Sequence, residues 1–307
     1  MIDAGLARFI QYAGASIMFG APLFYLTALP RSGAIAASDM RWSRLLPIGS
    51  SALLLFGAVL SLILQSAMMN GIALAQLDWP AIEVVLTATH WGLAIIIRAT
   101  LAAAALGLAL LMRPSRALWF ASIALGLLIL ASFAWTGHGA ASQGPWAWVH
   151  LLSDIVHAVA AGVWIGALVC FLMLLFRPSD SDEANVALYS ALHGFSRTGS
   201  MVVSALVITG VVNTVFIVGP SQITGLVTSS YGWVLGIKTL AFAGMVALAG
   251  VNRFRLTPGL KASFGTTQTA PALAHLKSSL LFETVLGFCV LVLVGFLGLL
   301  EPPAGAL

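Results

Sequence analysis

Residues 146–176 read WAWVHLLSDIVHAVAAGVWIGALVCFLMLLF. The run is apolar except near its start, where Asp154 is the one formal charge, flanked by His150 and His157. A helix needs about 20 mostly apolar residues to cross a bilayer, and this stretch exceeds that. Pro145, preceded by Ser142, Gln143 and Gly144, marks where the helix begins. Counted from His150 at about 100° per residue, Asp154 falls at about +40° and His157 at about −20°, with Ala161 and Trp164 at about +20° and −40°. One stripe of the helix is therefore ionisable in its upper half and small or aromatic below.

The rest of the chain has the same character. Its 307 residues are 60% hydrophobic and 8% charged, with a mean hydropathy of +1.02. Soluble domains carry roughly 25% charged residues, so this chain cannot cover a water-facing surface and reads as an integral membrane protein. Eight stretches qualify as spans, at about 6–29, 45–69, 87–112, 117–136, 146–176, 198–218, 232–251 and 276–300. The expected fold is an all-α bundle of eight transmembrane helices forming a single membrane domain over 1–307. The run Leu6–Leu29 is longer than the roughly 7–15 residues of a signal-peptide core and no A-x-A site follows, so it reads as a retained first helix. The longest piece between spans, 252–275, is rich in turn residues and reads as a polar loop.

Orientation follows from the basic residues. Arg31, Arg41, Arg44, Arg113, Arg116, Arg177, Arg197, Arg253, Arg255, Lys261 and Lys277 all fall in one alternate set of loops, and the other set has none. The basic set belongs in the cytoplasm, which places both termini on the periplasmic side. Six of the nine tryptophans, Trp79, Trp91, Trp135, Trp146, Trp148 and Trp233, then lie near the outer interface, as an aromatic belt does. His90 opens the third span from that face, His138 closes the fourth, and His150 and His157 occupy the first turns of the fifth. Met68 and Met69 end the second span on the same side, whereas His193 and His275 belong to the cytoplasmic side.

Ionisable groups at membrane depth usually face a cavity or a partner and mark a pathway. Imidazole suits copper, zinc, iron and nickel, and thioether sulfur favours Cu(I). The candidate metal ligands are therefore His90, His138, His150, Asp154 and His157. Met68 and Met69 are soft additions for which plain packing is the alternative. His150 and His157 are about 10.5 Å apart in rise, so two stations at different depths fit better than one ion between them. On this reading each histidine pairs with His138 or His90 from a neighbouring helix, and Asp154 lies between as ligand or orienting acceptor.

Arg98, Lys238, Glu283 and Asn213 also lie inside spans. Arg98 has three readings: repelling cations, pairing with Asp154, or snorkelling outward. Lys238 and Glu283 either pair with each other or snorkel, and Asn213 reads as an interhelical hydrogen bond. Cys170 and Cys289, both within apolar runs, argue against a disulfide framework or zinc site. They read as packing, with a soft relay as the alternative. The chain has no phosphate-cradling G-x-x-x-x-G-K-[ST] loop, no nucleophile elbow and no H-E-x-x-H motif, so neither an ATP-driven pump nor an enzyme is expected. The small positive charge gives no reason to expect a nucleic-acid partner.

Several segments resemble the bacterial copper-resistance membrane protein D (CopD/PcoD) family. They are TGHG (136–139), HLLSDIVHAVAAGVWIGAL (150–168), FSRTGSMVVSALVITGVVNT (195–214), YGWVLGIKTLAF (231–242), NRFRLTP (252–258) and the glutamate-bearing LKSSLLFETVLGFCVLVLVGFLGLL (276–300). The likeness runs in order through all of the chain beyond about residue 85. It implies a multi-pass protein of the bacterial cytoplasmic (inner) membrane that moves copper inward from the periplasm. It also implies a small periplasmic copper-binding partner of the CopC type. The chain departs from a Met-rich design, having nine methionines and no Met-rich external segment, which shifts weight to the histidines. Two other functions remain open: a b-type haem electron carrier using paired histidines, and a copper-binding protein that stores or senses without transport.

Overall fold

The computed structural model describes residues 2–29, 41–137, 144–176 and 182–303. Every regular element among them is a helix: α1 (Ile2–Thr27), α2 (Arg41–Asn70), α3 (Trp79–Ala88), α4 (His90–Leu111), α5 (Arg116–Ser132), α6 (Ala147–Leu175), α7 (Asp182–Val218), α8 (Ser230–Val251), α9 (Thr257–Ser263) and α10 (Thr269–Leu297). All eight expected spans are present as helices long and apolar enough to cross a membrane.

Short polar side chains set several of the starts. Thr89 interrupts the chain between α3 and α4, and its hydroxyl accepts from the Gly92 amide at 2.9 Å. The third span therefore begins at His90 rather than near 87, with α3 as a separate short helix before it. Asp78, Ser115 and Ser229 cap α3, α5 and α8 in the same way.

The helix that carries the expected sixth span, 198–218, extends well before it: α7 has 37 residues and starts at Asp182. Its first turns are amphipathic, burying Ala187, Leu188, Ala191 and Leu192 beneath a polar face. The stretch 252–275 is not a loop. A π-helical segment, Asn252–Leu256, carries α8 into α9, and α10 already begins at Thr269. Pro258 sits in the first turn of α9, where its missing N–H costs no helical bond.

α1 is the hub of the bundle and packs on α2, α5, α6 and α10. Lipid supplies no hydrophobic drive between helices, so close approach through small residues matters. Gly20 of α1 lies directly on Gly162 and Gly166 of α6, and a Cβ on Gly20 or Gly166 would overlap the facing backbone. Both ends of the described chain meet at one end of the bundle: Arg8 Nη1 donates to the Gly298 carbonyl at 2.6 Å.

Candidate functional site

α6 runs away from the end of the bundle that carries both termini, and its polar stripe faces α7. Three levels of contact follow one another. His150, buried, stacks on Phe216 with ring centroids 5.1 Å apart and planes 6° from parallel. One turn deeper, Asn213 Nδ2 donates to Asp154 Oδ1 at 3.4 Å. A further turn down, His157 Nδ1 meets Thr209 Oγ1 at 2.9 Å, and Ser153 Oγ donates to the Thr209 carbonyl at 3.3 Å. Residues 150, 154 and 157 thus oppose 216, 213 and 209, each set at i, i+4, i+7 on one face of its own helix. The helices run antiparallel, and the contacts form a ladder.

The ladder fixes chemistry at His157. Thr209 Oγ1 already donates its single hydrogen to the Ala205 carbonyl at 2.6 Å. With the Thr209 hydrogen on that carbonyl, the contact with His157 is one in which Nδ1–H donates and Thr209 accepts. In the neutral ring this leaves the Nε2 lone pair as the available base or metal donor. Holding the other ring nitrogen by a neighbour's oxygen is how metal-binding imidazoles are commonly oriented. Asp154 and His157 are half-buried, and Gly137 lies beside the carboxylate: a Cβ there would stand 3.9 Å from Asp154 Oδ2. Lys238 of α8 is within electrostatic reach of both Asp154 and His157.

The remaining expected ligands are placed differently. His90, the first residue of α4, is exposed, as are Met68 and Met69 at the end of α2. His138 lies outside the described residues. Among the described residues no three His, Cys, Asp or Glu side chains are grouped to hold one ion. The two-level separation read from helix geometry is thus present in the ladder. Among the described residues His150 stacks on Phe216 and His157 meets Thr209, while the expected pairing with His138 lies outside the described residues.

The stripe continues downward. Trp164, two turns below His157, donates from Nε1 to Glu283 Oε1 at 2.8 Å, and Asn252 Nδ2 donates to Glu283 Oε2 at 2.8 Å. All three are buried. Glu283 therefore neither snorkels nor pairs with Lys238; it is held at depth by an indole and an amide. The amide comes from the π-helical segment, a distortion that is frequent at functional positions. Arg98 also keeps its own company. Its guanidinium donates to Ser132 Oγ (3.1 Å), Gln11 Oε1 (2.7 Å), the Ser132 carbonyl (3.3 Å) and Thr136 Oγ1 (3.1 Å), and covers the Phe133 ring at 3.9 Å. It neither pairs with Asp154 nor snorkels. Cys170 is buried among aromatic and aliphatic side chains, and Cys289 is exposed; neither is in a disulfide.

Sequence reasoning missed Thr209 and Phe216 as members of the site. The signal was available, because Thr209, Asn213 and Phe216 share the helical period of the α6 stripe. Asn213 was read as an interhelical hydrogen bond, and it is one.

Residues 1–148 match the family model described as "Copper resistance protein D-like, N-terminal domain", and residues 189–297 match that of "Copper resistance protein D". Copper resistance protein D of Pseudomonas syringae pv. tomato is 37% identical over 307 residues, covering 96% of this chain and 95% of its own. Inner membrane protein YebZ of Escherichia coli (strain K12) is 28% identical over 183 residues, 58% of this chain and 59% of that one. Copper transport protein CutJ of Bacillus subtilis (strain 168) is 26% identical over 189 residues, 61% of this chain and 32% of that one. No solved structure matches the chain.

Proposed function

The chain belongs to the copper resistance protein D family, and on that premise we propose that it takes copper from the periplasm and passes it inward across the cytoplasmic membrane. The ladder between α6 and α7 carries this reading: in a chain with 8% charged residues, His150, Asp154 and His157 stand on one stripe at one end of the bundle. That end is assigned to the periplasm by the absence of basic residues from its loops. Copper is the cargo. His150 and the Nε2 lone pair of His157 offer nitrogen donors at two depths, with the Asp154 carboxylate between them attracting the cation. His90, His138, Met68 and Met69 are the proposed capture groups at the rim. Glu283 is the next anionic oxygen below, reached through Trp164 at the foot of the stripe. A periplasmic protein of the CopC type is the proposed donor, and the transport is not enzymatic.

The test is copper counted inside reconstituted vesicles over time, for the natural sequence and for the double variant H150A/H157A. The expected result is loss of copper accumulation with membrane insertion and yield unchanged. Accumulation at the natural rate in the double variant overturns the proposal. Binding without accumulation in the natural protein assigns it to storage or sensing. A Soret band with reducible α and β bands in the purified protein assigns it to haem-based electron transfer.

A further inference from the structure

Arg98 is a full positive charge buried in the bundle, 2% exposed, and no carboxylate touches it among the described residues. Four of its five N–H groups are accounted for, all by neutral oxygens, and one on Nη1 remains. The guanidinium lines a cavity of about 20 Å³ between α1, α2, α4 and α5. Arg8 lines the same cavity, and the two arginines are close enough to interact electrostatically. The other polar lining is Gln11, Ser61 and Thr136, which bond to one another or to Arg98, and Tyr12, Gln65 and Trp91, whose O–H and N–H groups can donate; no acidic side chain is among it.

Two like charges facing one small cavity repel each other, and Arg98 has lost nearly all of its hydration while Arg8 is partly buried. Proteins leave such charge in place when something of opposite sign neutralises it. We propose that this cavity is an anion site for a single halide-sized monovalent anion, held by Arg98, Arg8 and the donors around them. The size sets the class: about 20 Å³ has room for one or two water-sized occupants and not for a tetrahedral oxyanion. The site is separate from the α6–α7 ladder. It stands whether or not the ladder carries copper, although Tyr12 lies within electrostatic reach of both Arg98 and Asp154.

Bromide is the probe. ⁸¹Br NMR line broadening is followed as bromide replaces gluconate at constant ionic strength, on the purified full-length protein in detergent. The expected result is saturable broadening that chloride reverses and sulfate does not. The deciding variant is Gln11→Glu. Gln11 Oε1 already accepts from Arg98 at 2.7 Å, so a carboxylate there supplies the missing negative charge from within. The Ser61 hydroxyl, which now accepts from Gln11 Nε2 at 2.5 Å, can turn to donate. Q11E should melt in gluconate at or above the natural temperature and bind bromide at least tenfold more weakly. No saturable broadening in the natural protein, or equal bromide affinity in folded Q11E, overturns the site. If Q11E does not fold, Arg8→Gln decides: an affinity at least tenfold weaker supports the site, and an unchanged one overturns it.

Discussion

Two polar regions share one end of this bundle and are built on opposite plans. Between α6 and α7 the groups on offer are acceptors or bases: the His150 and His157 rings and the Asp154 carboxylate, steadied by Thr209 and Asn213. Between α1, α2, α4 and α5 they are donors, gathered around Arg98 and Arg8. The first plan suits a cation and leaves a lone pair uncommitted. The second ties Arg98 down with four fixed bonds and keeps one of its N–H groups uncommitted. A buried charge bonded on four sides mainly holds helices in register, whereas one steadied by weaker contacts is free to exchange partners. The contrast separates architecture from traffic, and it can be attacked by substitution.

The largest effect is expected on the donor side. Arg98→Ala removes four hydrogen bonds and strands Gln11, Ser132 and Thr136 at a three-helix junction, at about 1–3 kcal/mol for each polar group left unsatisfied. Folded yield and thermal unfolding in detergent should collapse, and a natural-like melting temperature would show that the arginine is not a structural tie. Glu283→Leu comes next, because it leaves the buried Trp164 and Asn252 donors without acceptors, for a loss of about 2–4 kcal/mol. Glu283→Gln should recover most of that stability. Its carbonyl can face Trp164, and Asn252, whose Oδ1 has no partner among the described residues, can turn its amide to accept from the new NH₂ group. If Gln and Leu cost the same, the hydrogen-bond account of Glu283 is wrong.

On the acceptor side stability should hardly move and function should. Thr209→Val removes the oxygen that holds His157 Nδ1–H, and copper affinity should fall about 10-fold, in line with the loss of other groups that orient metal-binding imidazoles. Titration of the purified protein with copper checks this, and an unchanged affinity would remove Thr209 from the site. The smallest effect belongs to Asn213→Ala. Its bond to Asp154 is long, and interhelical bonds of this kind in membranes contribute about 0.6 kcal/mol, roughly a threefold change in affinity.

Much of this was legible in the residues. Continuous apolar runs located all eight spans, and the period of His150, Asp154 and His157 put them on one face before any neighbour was known. What escaped had physical causes. The search for unbroken apolar sequence overlooked the polar first turns of α7, where Ala187, Leu188, Ala191 and Leu192 bury one narrow side only. Turn-forming residues between 252 and 275 read as a loop, yet a π-helical step and a first-turn proline let a helix pass through them. Partners were the hardest to foresee. Nothing along the chain says that Glu283 would be met by Trp164, 119 residues away, and not by Lys238.

The glycine crossing of α1 and α6 carries a mechanical consequence. With Gly20 seated against Gly162 and Gly166, the two backbones lock like a dovetail, and α6 cannot slide or roll without carrying the hub helix along. α6 is therefore the stator. Its most apolar stretch is 56% buried and that of α1 is 67%, whereas α7 and α8 stand at 28% and 6%. Any motion that opens and closes the ladder falls to α7, because α8 packs on α10 and through it on the hub helix, and the histidine rail of α6 stays where it is.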